Sequence, residues 1–358
     1  MKIVKIILPL ALLSLLSISF FSCSKDNNPF IPPVDTTYQF DSARYDWVTV
    51  YINCNPTDLI VLDTNIIYVT TLFDLRKLTG NQFSNIFTQD TMLISCAYGV
   101  TENEIYLGGA NDNSFPMVMR LTNPVFNFEQ IPNPNNLKFS ISEIFAKNNS
   151  IFFASRGGRS LITKKNSQYM YYQVDSILST DTISGYTTTY GAGLFFGEVE
   201  KVKCIYVHTS VNNIGTSGFG FYKILNYDGS SWGTEYYNTF SDEIPPIALR
   251  RFGNALYGIQ NHEIYKYNGN NFSLVLGNIK PRLDKSLSAG TNLNNFVTSA
   301  SDSGFYYLMN WNGTKWSKEY LHDVYSMRNA VTFKNNYYIL YNYDGFYGEL
   351  KIGRPKEN

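Results

Sequence analysis

Few side chains in this chain are of the kinds that catalyse reactions or bind metals. There are three histidines, His208, His262 and His322, and no two are spaced as a metal-binding pair. The sequence contains no HExxH, no GxSxG and no phosphate-binding loop. No spacing among its 29 acidic residues selects the two carboxylates that glycoside hydrolysis requires. We therefore predict no metal and no cofactor, and we expect a binding protein rather than an enzyme.

The four cysteines indicate neither a disulfide framework nor a zinc site, because none of them stand in CxxC spacing. Cys96 and Cys204 lie in apolar, strand-like patterns. We predict that both are buried thiols that act as small hydrophobic side chains.

The N-terminus has the pattern of a secretory signal. Lys2 and Lys5 precede an apolar run over residues 6–21, which ends at Ser22-Cys23. The run is shorter than the roughly 20 residues that a spanning helix needs, although a retained membrane anchor is the alternative interpretation. A cysteine directly after the small residue resembles the signal of bacterial lipoproteins, which implies a lipid on Cys23.

The residues after Cys23 extend this resemblance. Ser24-Lys25-Asp26-Asn27 is similar to the short polar stretch in surface-exported lipoproteins of the Bacteroidota. The resemblance implies attachment to the outer membrane bilayer at the cell surface, with the periplasmic face as the alternative. We divide the chain into a signal peptide over residues 1–22, a lipidated flexible tether over 23–43, and a folded domain over 44–358.

A four-residue pattern recurs seven times: Asn, any residue, an apolar residue, then an aromatic or other β-forming residue. Only the fourth copy lacks the Asn, and the mean spacing is 45 residues. The copies are Asn65-Ile66-Ile67-Tyr68, Asn103-Glu104-Ile105-Tyr106, Asn149-Ser150-Ile151-Phe152, Lys203-Cys204-Ile205-Tyr206, Asn254-Ala255-Leu256-Tyr257, Asn294-Asn295-Phe296-Val297 and Asn335-Asn336-Tyr337-Tyr338. This period, in a chain with 28 Tyr and 25 Phe, is typical of propeller blades.

The repeat around Tyr257 shows the predicted blade most clearly. It divides into strands over residues 247–252, 255–260, 263–267 and 272–276, with an Asn268-Gly269 hairpin turn before the last strand. The aromatic residues on either side of such turns are expected to pair across the hairpin, with sugar binding as the alternative. We predict an all-β fold, a single β-propeller with repeats that resemble WD40 or kelch repeats. Seven blades fit best, and six is the alternative.

The two ends of the repeat array predict how the ring closes. The last repeat runs out of chain after a strand over residues 347–352, while an unpartnered strand, Tyr45–Ile52, precedes the first repeat. We predict that this N-terminal strand completes the last blade and leaves no open edge.

The loops predict which face of the ring binds a partner. The first-to-second and third-to-fourth turns are tight, whereas the second-to-third turns and the blade-to-blade links contain the long segments, which include residues 176–190. We call the face with the long segments the long-loop face. The candidate binding residues there are Arg156, Arg159, Tyr186, Tyr190 and His262.

Three hypotheses for function remain open. The first is a lipid-anchored cell-envelope binding or scaffold protein that engages a glycan or a protein partner. The second is a propeller hydrolase or lyase that acts on extracellular polysaccharide, and the third is a structural subunit of an outer-membrane complex. The formal net charge of zero gives no electrostatic reason for a nucleic-acid partner.

Overall fold

The computed structural model describes residues 42–122, 125–129, 131–133, 136, 138–147, 149–156, 160–173, 186–196, 202–212, 218–241, 248–253, 255–269, 271–280, 282–302, 305–322, 327–343 and 347–357. Every regular element in these residues is a β-strand. The chain divides into two units, Met1–Tyr38 and Gln39–Asn358, and all the strands belong to the second unit. Within the described residues, no helix has the length and apolarity needed to cross a membrane.

The 28 strands form seven four-stranded antiparallel sheets, each of which is one blade. The first three blades are β2 Pro56–Asp63, β3 Ile66–Thr71, β4 Asp74–Thr79 and β5 Gln82–Thr88; β6 Leu93–Thr101, β7 Glu104–Ala110, β8 Pro116–Thr122 and β9 Val125–Glu129; and β10 Ser140–Lys147, β11 Ser150–Arg156, β12 Ser160–Lys165 and β13 Gln168–Gln173. The next three are β14 Tyr186–Phe196, β15 Val202–Asn212, β16 Gly218–Tyr227 and β17 Trp232–Ser241; β18 Ala248–Phe252, β19 Ala255–Gln260, β20 Glu263–Tyr267 and β21 Phe272–Leu276; and β22 Arg282–Asn292, β23 Asn295–Asp302, β24 Phe305–Trp311 and β25 Trp316–His322. The seventh blade is β26 Met327–Phe333, β27 Asn336–Tyr343, β28 Tyr347–Pro355 and, last in the sheet, β1 Tyr45–Ile52. The prediction of an all-β propeller is therefore confirmed.

The N-terminal strand closes the ring as predicted. β1 pairs antiparallel with β28 from Tyr45 opposite Pro355 to Ile52 opposite Gly348. Val50 on β1 is buried in the core between the seventh and first blades. Since an open blade would leave the edge of β28 without hydrogen-bond partners, this pairing removes an exposed sheet edge.

Aromatic residues flank the hairpin turns and pair across them. Tyr227 is opposite Trp232 with ring centroids 5.4 Å apart, and Trp311 is opposite Trp316 with centroids 5.1 Å apart. Trp232 and Trp316 are buried, so the structural role is confirmed for these two and they offer no surface to a sugar.

Apolar layers join the successive blades into a ring. Mixed clusters of buried side chains join the seventh blade to the first, the first to the second, the second to the third, the third to the fourth, the fourth to the fifth and the sixth to the seventh. Between the fifth and sixth blades, Phe252 stacks on Phe296 with centroids 4.5 Å apart. Burial of this apolar surface is what holds neighbouring sheets face to face.

The structure corrects one of the predicted loops. Tyr186 and Tyr190 lie within β14, the first strand of the fourth blade, and not in a loop over residues 176–190. Tyr190 is paired with His208 on β15. The β-branched run Thr187-Thr188-Thr189 between the two tyrosines favours an extended conformation, and this overrides the loop interpretation.

Candidate functional site

The strand connectivity defines the two faces of the ring. Within each blade the chain enters the first strand from the long-loop face, and the tight first-to-second turn lies on the opposite face. The second-to-third turns and the blade-to-blade links therefore meet on the long-loop face. Hydrogen bonds tie these segments together: Phe139 N donates to Ser114 O at 2.8 Å, and Ile279 N donates to His262 O at 2.9 Å.

Five large apolar side chains are exposed on the long-loop face of three adjacent blades. We call this group the apolar rim, and its members are Tyr51, Leu72, Phe73, Leu93 and Tyr347, with exposed fractions between 39% and 69%. Leu72 and Phe73 form the turn between β3 and β4, and Leu93 is the first residue of β6. The rim therefore combines a second-to-third turn with the starts and ends of strands.

The rim continues from the seventh blade to the first through backbone pairing within the seventh blade and the close approach of Gly348 to Pro56. Ile52 pairs with Gly348, and their neighbours Tyr51 and Tyr347 both belong to the rim. A Cβ atom on Gly348 would lie 2.5 Å from Pro56 Cγ, so the start of β28 lies directly against the start of β2.

The rim then continues from the first blade to the second. Pro56 pairs with Thr71, the residue before Leu72. Leu72 O accepts a hydrogen bond of 2.8 Å from Ile94 N, the residue after Leu93. Because each step of this path is a backbone pairing, a backbone hydrogen bond or the close approach of Gly348 to the Pro56 ring, the five residues occupy neighbouring positions along one edge of the face.

His262 is the one predicted binding residue whose side chain the structure describes. It lies in the turn between β19 and β20, on the long-loop face, and is exposed. Its Nδ1 is 2.6 Å from Ile279 O, so Nδ1 carries a proton and donates to that carbonyl. This hydrogen bond ties the turn to the link that leads into the sixth blade, which gives His262 a structural role there.

The other predicted residues are only partly described. Arg156 is the last residue of β11, and Tyr186 and Tyr190 lie in β14, but their side chains are outside the described part of the structure. Arg159 and Cys23 lie outside the described residues altogether. Their roles in binding and lipid attachment stay predictions.

A channel of about 900 Å³ runs through the centre of the ring. Apart from Gly253, in the turn after β18, its described lining comes from six of the seven first strands: β2, β6, β10, β18, β22 and β26. The charged residues in that lining are Asp58, Glu143, Arg250, Arg251 and Arg328. Within the described part of the chain, no group of three or more His, Cys, Asp or Glu side chains is placed to hold a metal ion.

Asp58 in the channel wall joins three blades. Asp58 Oδ2 accepts a hydrogen bond of 2.7 Å from Ala97 N on the second blade, and Oδ1 accepts one of 2.8 Å from Leu59 N. The amide of Asn329 on the seventh blade also donates to Oδ1. Burial raises the pKa of Asp58 even though all three hydrogen bonds favour its charged form.

Arg251 differs from Asp58 in its surroundings. Its accessible surface faces the channel, and the protein walls around the channel reduce its solvation. This desolvation lowers the pKa of Arg251, which the negative charge of Glu143 partly opposes. Cys96 is buried in the same wall, as predicted, and burial together with the charges of Asp58 and Glu143 raises the pKa of its thiol well above the usual range. Such a thiol is a poor nucleophile.

Neither the apolar rim nor the charged residues of the channel were predicted from the sequence. A signal for the channel was present, because Arg250-Arg251 falls inside the predicted first strand over residues 247–252. A charged residue in the innermost strand of a blade has the central channel as its route to water. No comparable signal marked the rim, whose members come from separate turns and strand ends.

No protein-family model matches the sequence, and no curated protein matches it. Solved structures share its fold. A structure of YCF48 bound to a D1 peptide superposes with a TM-score of 0.55 at 13% identity, covering 89% of this chain and 99% of that one. A chain in the crystal structure of a mitotic checkpoint complex superposes with a TM-score of 0.53 at 10% identity, covering 94% of this chain and 98% of that one. At these identities the likeness shows the fold, and the chain is a β-propeller.

Proposed function

We propose that this protein is a lipid-anchored cell-envelope binding protein that engages a protein partner through the long-loop face. The apolar rim is the observation that carries the proposal. Contiguous exposed apolar side chains on a folded domain are typical of interaction surfaces, and tyrosine is enriched among the residues that dominate binding energy. The two propellers with the same fold were solved with a peptide and in a protein complex, which is consistent with this use of the scaffold.

The composition of the rim favours a protein over a glycan. Sugars stack on aromatic faces, but Leu72 and Leu93 offer only aliphatic surface. A protein partner can bury both kinds of side chain in one interface.

The carboxylates in the channel give no support to the hydrolase or lyase alternative. Of the two channel carboxylates, Asp58 is engaged by three hydrogen-bond donors that join blades. We assign Asp58 a structural role and propose no catalytic one.

Substitutions in the rim test the proposal. We expect Tyr51→Ser and Phe73→Ser to weaken partner capture by about tenfold, because truncating a central interface residue costs about 1–2 kcal/mol or more. Matched controls are Ile86→Ser and Phe128→Ser, which remove large exposed apolar side chains from the outer strands β5 and β9. The measurement is crosslinking in intact cells followed by mass spectrometry of the captured proteins. Equal losses for the rim and outer-strand variants would contradict the proposal.

The anchor is tested separately. Mass spectrometry of the mature N-terminus should show a diacylglyceryl modification on Cys23, and Cys23→Ala should release the protein from the membrane fraction. A cut at another position, or an unmodified Cys23, would remove the anchor from the proposal without affecting the rim.

A further inference from the structure

We propose that the central channel is a binding site for a small carboxylate ligand, held by Arg251 and Arg328. This inference is independent of the apolar rim and of the lipid anchor. Three observations support it. They are the volume of the channel, the interactions that Asp58, Glu143 and Arg250 already make, and the exposure of the Arg251 and Arg328 side chains to the channel.

The acidic residues of the channel do not neutralise all of its arginines, which leaves positive charge to bind a ligand. Asp58 is satisfied by backbone and amide donors and needs no arginine. Arg250 and Glu143 each have interactions of their own. The described lining therefore has one more arginine than it has carboxylates, and one of those two carboxylates is already engaged by hydrogen bonds.

Arg251 and Arg328 are the two groups that remain for a ligand. Both side chains are exposed in the channel lining, and within the described residues neither guanidinium forms a hydrogen bond or a close ion pair, although the charge of Glu143 acts on Arg251. They come from β18 and β26, the first strands of the fifth and seventh blades, so they project from separate parts of the wall. Partial desolvation, which lowers the pKa of Arg251, also strengthens the attraction between that guanidinium and an anion.

The chemistry of the guanidinium selects the ligand class. Its planar fork of N–H donors matches a carboxylate in bidentate geometry. A volume of about 900 Å³ lies within the range of roughly 300–1,000 Å³ that is common for small-molecule sites.

The choice of probes distinguishes two classes of carboxylate ligand, a sugar acid and an aliphatic acid. Isothermal titration calorimetry on the full chain would use galacturonate against galactose, and succinate against succinamide. We expect each acid to bind at least about tenfold more tightly than its neutral counterpart, because a hydrogen bond to a charged group is stronger than one to a neutral group. Tighter binding of galacturonate identifies a sugar acid, and tighter binding of succinate identifies an aliphatic acid.

Substitutions of the two arginines complete the test. Arg251→Gln and Arg328→Gln should each weaken binding of the acid by at least about tenfold. Arg354→Gln, an exposed arginine on β28 outside the channel lining, and Phe73→Ser in the rim should leave binding unchanged. Thermal melts check that each variant is folded. If Arg251→Gln fails to fold, Arg251→Lys, which keeps the charge and loses the fork, should still bind the acid more weakly than the wild type.

Three results would overturn the proposal. The first is that none of the acids binds at millimolar concentration. The second is equal affinity for an acid and its neutral counterpart. The third is unchanged affinity in folded Arg251→Gln and Arg328→Gln.

Discussion

Two carboxylates, Asp58 and Glu319, join parts of the ring by accepting hydrogen bonds from backbone N–H groups. Glu319 lies on β25, the outer strand of the sixth blade, and is buried. It accepts hydrogen bonds of 3.0 Å from Arg44 N and Tyr45 N, where the chain enters the closing strand β1. It also accepts one of 3.4 Å from the indole nitrogen of Trp47. A single side chain thus fixes the start of β1 against the neighbouring blade.

Glu319→Ala should therefore destabilise the ring strongly. The substitution leaves the buried N–H group of Tyr45 without an acceptor, at a cost of about 1–3 kcal/mol, and it also removes the acceptor of the part-buried Arg44 N–H group. Urea unfolding followed by circular dichroism measures the loss. Glu319→Gln, which keeps one acceptor oxygen, should lie between the wild type and the alanine variant. An alanine variant as stable as the wild type would show that Glu319 does not hold the closing strand.

Asp58 should give the protein a pH-dependent stability of defined sign. Since burial raises its folded-state pKa, its protonated form is favoured in the folded state. Its contribution to the free energy of unfolding is fully present below the ordinary carboxyl pKa of about 3.9, and it is lost as the pH rises through the higher folded-state value. Urea unfolding between about pH 4 and pH 7 should show the wild type losing stability relative to Asp58→Asn as the pH rises.

The exposed Asp90 supplies a control for this pH dependence. Asp90→Asn makes the same chemical change at an exposed position in the link between β5 and β6, and it controls for the loss of one acidic side chain. If the wild type instead gains stability over Asp58→Asn with rising pH, the hydrogen bonds to Asp58 outweigh its burial.

At the scale of elements, turn chemistry was the most informative part of the sequence. The strands β19, β20 and β21 have the predicted bounds because Gly253, Asn268-Gly269 and the alternating aromatic residues mark where each one starts and ends. Gly253 and Gly269 have φ values of 59° and 98°, a region that side chains with a Cβ avoid. β14 was mistaken in part for a loop, because its Thr and Gly residues do not alternate with apolar residues. Its pairing with β15 makes it a strand.

These two glycines should respond differently to the same substitution. At Gly269 a Cβ meets nothing within 4 Å, so Gly269→Ala adds only backbone strain of about 1 kcal/mol. At Gly253 a Cβ would lie 2.3 Å from Thr291 O on the next blade. Gly253→Ala should therefore cost clearly more, and should shift the hydrogen bond of 3.1 Å from Gly253 N to Gly290 O. Chemical denaturation of both variants measures the difference, and equal losses would show that the blade contact tolerates a methyl group.

At the scale of the whole molecule, the repeat period predicted the architecture but not the surfaces that bind. The period arises from the local sequence pattern of each blade, so it can be recognised in a single sequence. The apolar rim brings together residues as distant as Tyr51 and Tyr347, and the channel charges come from different blades. Their proximity depends on how the ring closes, which no local pattern contains.

Removing the closing strand should affect the entire ring. Deletion of residues 24–52 exposes the edge of β28 and the apolar layer that Val50 and Ile52 bury, each worth about 1.5–3 kcal/mol. We expect the melting temperature to fall sharply and the three tryptophans that remain, Trp232, Trp311 and Trp316, to report one common transition with the far-ultraviolet circular dichroism. Deletion of residues 24–40 is the control and should change melting little. Equal effects of the two deletions would show that β1 does not stabilise the ring.

The pairing of β1 with β28 also fixes an order of events during synthesis. Among the described strands of the ring, the one made first has its partner in the one made last, as the bond from Lys351 Nζ to Thr49 Oγ1 across 302 positions illustrates. β1 must therefore wait, unpaired, until β28 has been made, and the six other blades can assemble before it docks. Contacts of such long range make folding slow. Until the last blade is made, β1 is an aromatic-rich strand with both edges open, and that interval is when the chain is most exposed to aggregation and most dependent on a chaperone.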